Sequence, residues 1–516
     1  MSGSNDAKWM ITATVIMGTL MSAIDTSIIN VAMPYMRGSL GASVEEITWV
    51  ATAYILSSVI VMPIIAMLSE RYGRKNFYLY CIFIFTATSM LCGMAWDMGS
   101  MIIFRIIQGI GGGALIPVSQ AILRETFPPE EQGTAMGIYG IGVVLGPAIA
   151  PTLGGWLTDN YSWPWIFYIN IPVGIINIFM VMRYIEDPPY LVRAKGRIDF
   201  LGLFLLTAGL GALQLMLEKG EQKQWFESDY IRCLAIMAIA GLLLFIWREL
   251  TTERPAVDLR ILRNVSFASG TTLGGILGMG LYGSLFILPL FLQQLLGYPA
   301  YDAGMTLMPR SVAMALVMPI AGRLYNRLGP RILIGGGLFI CAASFWELSK
   351  LSLDVGIMDI FAPQFLQGIG FGMVFVALST VALSTIERHR MTAASGLYNV
   401  IRQVFGSIGI AVAASQLTRG ENAYRAVLME HVTEYRNAAD GWINSLTGAM
   451  LSKGADAGIA HNRALGLLDA EIMRQAAMLA FNHVFLLVSS LFFITLPLVF
   501  MLKRGKTESA GEVIVD

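Results

Sequence analysis

The chain has 516 residues, 35 basic against 35 acidic side chains, 55% hydrophobic residues and 14% charged ones. A soluble domain carries about 25% charge, so too little polar sequence is present to cover this much apolar sequence in water, and the bilayer must be the main solvent. Zero net charge excludes a nucleic-acid partner, since counterion release needs a basic excess. Cys81, Cys92, Cys233 and Cys341 lie inside or at the edge of apolar runs, form no CxxC pair and have only four histidines in the chain to help them, so neither a disulfide framework nor a metal site is indicated.

Apolar runs long enough to cross about 30 Å of hydrocarbon as helices recur fourteen times: 11–36, 46–69, 76–96, 100–123, 133–157, 165–184, 199–217, 230–248, 266–292, 303–323, 331–349, 358–384, 391–415 and 478–502. The first is too long, and lacks the cleavage flank, for a removable signal peptide, so it is expected to remain as span 1. An even number of spans puts both termini on one side. That side collects 21 Lys and Arg, among them Lys8, Arg71, Arg124, Arg248 and Arg331, against Arg37, Lys219, Lys223 and Lys350 in the opposite short loops. The positive-inside rule then predicts cytoplasmic termini.

The sequence repeats itself. Gln108-Gly109-Ile110-Gly111-Gly112-Gly113 in span 4 matches Gln367-Gly368-Ile369-Gly370-Phe371-Gly372 in span 12 at an offset of 259, and Gly137-Ile138-Tyr139 matches Gly396-Leu397-Tyr398 at the same offset. The segment after span 2, Ala66 to Arg74, echoes Gly322 to Arg331 after span 10, Leu68 to Leu324 giving 256. Spans 2, 4 and 5 thus map to 10, 12 and 13. The expected fold is an all-α polytopic membrane protein with two six-helix bundles plus two inserted spans, which around a midplane cavity describes a shuttle rocking between inward-open and outward-open states. The corresponding division is 1–185 for the first bundle, 186–260 for the inserted pair with its linkers, 261–415 with 478–502 for the second bundle, 416–477 for a long outer loop and 503–516 for a tail.

An ionisable side chain at membrane depth is a functional candidate by default. Asp25 lies about 21 Å and Arg105 about 27 Å from the cytoplasmic edge at 1.5 Å per residue, so the two can meet, either as a proton-loading device or as a static buried pair. The repeat-equivalent positions hold Leu281-Tyr282-Gly283-Ser284 and Gln364, none charged. Arg402 in span 13, beside Asn399 and Gln403, is the second half's deep charge, an anion attractor or a hydrogen-bond anchor. Arg310 in span 10 and Arg232 in span 8 are expected to snorkel to the headgroups. The glycines around 109–113 and 137–155 are not phosphate loops, because no GK[ST] follows and no strand precedes; small residues at helical spacing serve close helix packing in lipid. Pro147 and Pro151 in span 5 suit an element that packs tightly yet bends.

Five stretches together resemble the fourteen-span drug:proton antiporters of the major facilitator superfamily, the EmrB/QacA type. They are Asp25-Thr26-Ser27-Ile28-Ile29-Asn30-Val31-Ala32-Met33-Pro34, Leu68 through Lys75, Arg105-Ile106-Ile107-Gln108-Gly109, Gly137 through Gly155, and Trp165 through Gly174. The resemblance implies the major facilitator fold and efflux of small lipophilic compounds across a bacterial inner membrane. It implies the proton motive force as driver and no cofactor, with Asp25 titrating and Arg105 modulating it. It further implies a gating motif at Glu70, Arg71, Gly73 and Arg74, echoed by Gly322, Arg327 and Gly329, and an antiporter motif at Gly137, Gly142, Gly146, Pro147, Gly154 and Gly155. Asn30, Trp49, Tyr54, Gln108, Tyr139, Tyr398, Asn399 and Arg402 are the candidates for the substrate cavity. Ala66 replaces the Gly that begins the family's loop motif, and Asn326 stands in the second copy where an acid is expected.

The outer loop is far longer than an ordinary connection, and Leu467, Leu468, Ile472, Ala476 and Leu479 space a helix running outward from span 14. By resemblance it docks a periplasmic membrane fusion protein leading to an outer-membrane channel; a shielding or gating loop is the alternative. A facilitator or symporter for a polar solute would need more hydrogen-bonding side chains, and an enzyme or sensor would need a nucleophile with a base, a metal cluster or a soluble domain, none of which the sequence offers.

Overall fold

A computed structural model of the protein describes residues 5–187, 199–252, 255–430, 432, 437–454 and 456–502. Basic residues Arg193, Lys195, Arg197 and Arg254 and the tail 503–516 lie outside the described residues. Every regular element among the described residues is a helix. Fourteen helices are long and apolar enough to span a bilayer: Ala7–Ser39, Glu45–Tyr72, Arg74–Gly93, Met98–Thr126, Gln132–Asn160, Trp165–Tyr184, Phe200–Lys219, Asp229–Thr251, Val265–Leu295, Asp302–Leu328, Pro330–Leu348, Ile357–Leu383, Arg388–Glu430 and Gly458–Met501. Their outer faces carry large apolar side chains such as Phe83, Phe179, Phe204, Ile236, Leu243 and Ile494, an arrangement stable only where lipid replaces water.

Local sequence sets several boundaries. Asp97 accepts from the Ser100 amide at 2.7 Å while Ser100 Oγ accepts from the Asp97 amide at 3.2 Å, a capping box that starts span 4. Asn264 caps span 9 through the amides of Ser266 and Phe267. Gly73 at φ 85° and Gly329 at φ 80° occupy the same position in the two halves, each ending one span and opening the next without a loop. Only glycine adopts that backbone at no steric cost.

Packing sorts the spans. Spans 1 and 5, 2 and 4, 3 and 4, and 3 and 6 contact one another in one group; spans 9 and 13, 10 and 12, 11 and 12, and 13 and 14 do so in another; spans 7 and 8 pack on each other. Across the groups the main contact is span 5 on span 10. Span 7 lies over the seam, its Gln214 Nε2 donating to Ser407 of span 13 at 2.8 Å and its Lys219 Nζ to Thr48 of span 2 at 2.9 Å.

Two expectations change. The helix of span 13 does not stop near 415 but runs Met391–Glu430, and that of span 14 runs Ala457–Thr495, each about 60 Å long and so about twice the hydrocarbon thickness. Their extensions form a hairpin beyond the membrane, tied by Arg425 to Asp469 at 2.8 Å and covered by the helix Asn437–Leu451. The expected outward helix from span 14 is therefore there, with a second one beside it. Arg310 does not snorkel: it is 3% exposed and donates to Ser284 Oγ at 3.0 Å.

Candidate functional site

Span 1 carries Asp25 into the first bundle, where it is fully buried. Oδ2 accepts from Arg105 Nη1 at 2.6 Å; Oδ1 accepts from Gln108 Nε2 at 3.0 Å and from Asn170 Nδ2 at 3.3 Å. Arg105, 1% exposed, also donates to Gln108 Oε1 at 2.7 Å and to the Val50 carbonyl at 2.9 Å. Its guanidinium lies 4.4 Å from the centre of the Tyr54 ring, and Tyr54 Oη bonds Ser22 Oγ at 2.9 Å. The helical i, i+3 spacing of Arg105 and Gln108 puts both on one face of span 4, toward span 1. Each charge is thus neutralised and each carboxylate oxygen engaged, the condition for keeping an ion pair out of water. Adding a proton to the carboxylate would remove the charge that holds Arg105, and the guanidinium would keep Gln108, the Val50 carbonyl and the Tyr54 ring.

Asn170 and Ser89 complete the cluster, Asn170 Nδ2 also donating to Ser89 Oγ at 3.1 Å. Asn170 lies in the Trp165–Gly174 motif, where the sequence assigns it no role; a polar side chain inside an apolar run is the signal that marks it. Tyr54 and Gln108, candidates for the substrate cavity, both touch this charge cluster.

A second cluster joins the two halves. Asn399 Nδ2 donates to Gln120 Oε1 at 2.6 Å, Ser395 Oγ to the Pro117 carbonyl at 2.6 Å, and Arg402 Nη2 to Asn399 Oδ1 at 3.0 Å, with the Phe375 ring 5.3 Å from the Arg402 guanidinium. Tyr139 is buried and donates to the Ile116 carbonyl at 3.1 Å; Tyr398 is buried with its hydroxyl unengaged. Asn30 is exposed on the same stripe as Thr26 and Pro34. Trp49 lies apart, at the far end of span 2, with Lys219 Nζ 5.8 Å from its ring.

The motif glycines divide by partner. A Cβ on Gly142, Gly146 or Gly154 would meet Ile16, Ala23 or Ile28 of span 1 at 2.7, 2.5 and 2.7 Å, so these let spans 1 and 5 touch. Gly137 faces the Met318 carbonyl of span 10 at 2.5 Å, and Gly133 and Gly322 face each other's carbonyls at 2.6 and 2.3 Å. Gly155 faces open space. Span 5 stays one continuous helix through Pro147 and Pro151. The close contacts between spans 5 and 10, and those of Pro117, Gln120 and Met62 with span 13, all fall in the halves of their spans nearer the termini, so the two bundles are closed on the side bearing the termini.

On that side Arg74 is buried and pairs with Glu125 of span 4, while Glu70, Arg71 and Arg327 are exposed. Arg74 thus fastens the loop to its own bundle. Gly73 faces Asp187, whose Oδ1 accepts from the Lys75 amide at 2.7 Å. Asn326 donates to the Glu130 carbonyl and so bridges the halves where the repeat lacks an acid.

Residues 15–410 match the Major Facilitator Superfamily. The chain is 33% identical to the fatty acid resistance protein FarB of Neisseria gonorrhoeae, with 96% of each chain covered, and 32% identical to the multidrug export protein EmrB of Escherichia coli K12, covering 96% and 95%. It is 30% identical to the colistin resistance protein EmrB of Acinetobacter baumannii, covering 96% and 97%. In fold it is similar to the human organic anion transporter MFSD10 (TETRAN), with a TM-score of 0.57 at 14% identity over 94% of this chain and 99% of that one. A bacterial homologue of the lysosomal transporter Spinster gives 0.52 at 18% over 98% and 100%. The five motifs in order, the fourteen spans and these relatives agree: the chain belongs to the EmrB-type transporters of the Major Facilitator Superfamily.

Proposed function

We propose that this transporter exports lipophilic compounds across the bacterial inner membrane by alternating access, driven by protons that enter through Asp25, with both termini in the cytoplasm. The buried Asp25–Arg105 pair carries the reading. It is held in the first bundle by groups from spans 1, 2, 4 and 6, so protonation that frees Arg105 changes contacts among all four at once. The relatives' names, multidrug export, colistin resistance and fatty acid resistance, support a cargo of amphiphilic small molecules. The fold supports rocking of two bundles about the seam between spans 5 and 10.

In this cycle the cargo leaves from the state closed on the cytoplasmic side, a proton from outside neutralises Asp25, the bundles rock, and Arg105 re-forms its pair as the proton leaves inward. The hairpin beyond the membrane, with exposed Val427, Met429, Leu465, Leu467 and Met473, supports docking of a periplasmic membrane fusion protein that passes cargo to an outer-membrane channel. Basic loops on the terminal side support the cytoplasmic assignment.

The test is cargo-triggered proton movement in proteoliposomes under an imposed pH gradient. The intact protein is expected to release protons on addition of a lipophilic compound. Asp25→Asn is expected to bind the compound and release none. Equal transport in both forms would remove Asp25 from the coupling step.

A further inference from the structure

Duplicated halves place corresponding side chains at corresponding points, so a rewired position is informative. A Cβ on Gly109 would lie 2.5 Å from the Tyr54 carbonyl, and one on Gly368 would lie 2.3 Å from the Arg310 carbonyl. One turn later Gly113 faces Ser58 and Gly372 faces Met314. These pairs keep the offsets of 259 in spans 4 and 12 and 256 in spans 2 and 10. Arg310 is therefore the counterpart of Tyr54, Gln364 of Arg105 and Gln367 of Gln108, while Ser284 follows Asp25 by 259.

The first half is self-compensated: Asp25 answers Arg105. In the second half the acid has become Ser284, the span 12 arginine has become Gln364, and a guanidinium enters from span 10 instead. Arg310 is 3% exposed, and among the described residues it donates to Ser284 Oγ and pairs with no carboxylate. Ser284 spends its own proton on the Leu281 carbonyl at 2.8 Å. Gln364 and Gln367 are fully buried, Gln364 Nε2 donating to Gln367 Oε1 at 3.3 Å, which leaves Gln367 Nε2 and Gln364 Oε1 unengaged. No Asp or Glu occurs in the middle of any of spans 9 to 14. A buried cation without a counter-charge is among the most costly arrangements in a membrane, retained where function uses it.

We propose that Arg310, with the free amide of Gln367, forms a buried monoanion site in the second half, on the pseudo-symmetric counterpart of the Asp25 cluster. One guanidinium and one amide supply donors for one charge, either the carboxylate of an amphiphilic organic acid or a small inorganic anion such as chloride. The carboxylate source rests on the export reading and gives it a cargo class; the site itself does not depend on it.

The full chain in nanodiscs, in chloride-free sulfate buffer, is titrated with sodium chloride and with decanoate, using decanol as the uncharged control. Calorimetry and the thermal midpoint are both followed. Saturable binding of chloride, decanoate or both, with none of decanol, is expected. Arg310→Gln weakens it about tenfold or more, and Arg310→Lys retains part of it. Ser284→Asp supplies the missing carboxylate from the chain itself, so it abolishes anion binding and raises the thermal midpoint without ligand, and it serves where Arg310→Gln does not fold. Decanoate that displaces chloride identifies the cargo carboxylate as an occupant; chloride binding indifferent to decanoate identifies the inorganic anion. Binding of neither ion, or Ser284→Asp binding like the parent, overturns the site. Because equilibrium binding is read, failure here leaves proton coupling at Asp25 standing, and failure of coupling leaves the titration unaffected.

Discussion

Closure on the terminal side brings two glycine backbones together, and adding one methyl group there tests it. In Gly322→Ala the new Cβ would lie 2.3 Å from the Gly133 carbonyl and 2.8 Å from its carbon. Both are backbone, so no rotamer relieves the clash, and spans 5 and 10 must separate by about 1 Å to reach ordinary contact. Overpacking of this kind costs about 1–3 kcal/mol, here only in the closed state. The population then shifts about 5- to 150-fold toward the state open on the terminal side. Spin labels at Tyr72 and Leu328, exposed ends of spans 2 and 10 on that side, report it as a longer inter-label distance by double electron–electron resonance, with the native cysteines replaced. Gly155→Ala, whose Cβ meets nothing within 4 Å, is the control. If Gly322→Ala gives the same distance distribution as Gly155→Ala, the seam between spans 5 and 10 does not control closure and the reasoning fails.

Arg105→Gln leaves a buried carboxylate without its cation and is expected to lower stability by about 3–5 kcal/mol; in the double variant with Asp25→Asn most of that loss returns. Additive losses in thermal unfolding would show that the two residues do not act as a pair. Gly73→Ala and Gly329→Ala force a Cβ onto backbone at φ 85° and 80°, costing about 1–3 kcal/mol each, seen as lower thermal midpoints; unchanged midpoints would mean that the junctions relax freely. Arg425→Ala removes a half-exposed pair of the outer hairpin and should cost under about 1 kcal/mol. It should also leave transport in proteoliposomes unchanged, and a large loss there would give the hairpin a part in the cycle itself.

The sequence by itself determined the number of spans, the family and the similar depth of Asp25 and Arg105. Each depends on quantities that a one-dimensional pattern carries: apolar length against bilayer thickness, motif order, and depth counted along a straight helix. It also held the repeat, through glycines that are retained wherever two backbones must touch. Only the tertiary structure decided which face of each helix looks inward. That is why Tyr54 and Gln108 join the charge cluster, why Arg74 turns to Glu125, and why Arg310, a turn or two inside span 10 and within snorkelling reach by counting, is buried against Ser284 instead. The two helices of the outer hairpin follow the same division. Their apolar periodicity was partly legible, but Gly420 lies against Ala480 and Arg425 against Asp469 only because spans 13 and 14 leave the membrane side by side, a relation between residues some 45 to 60 positions apart that no local pattern encodes.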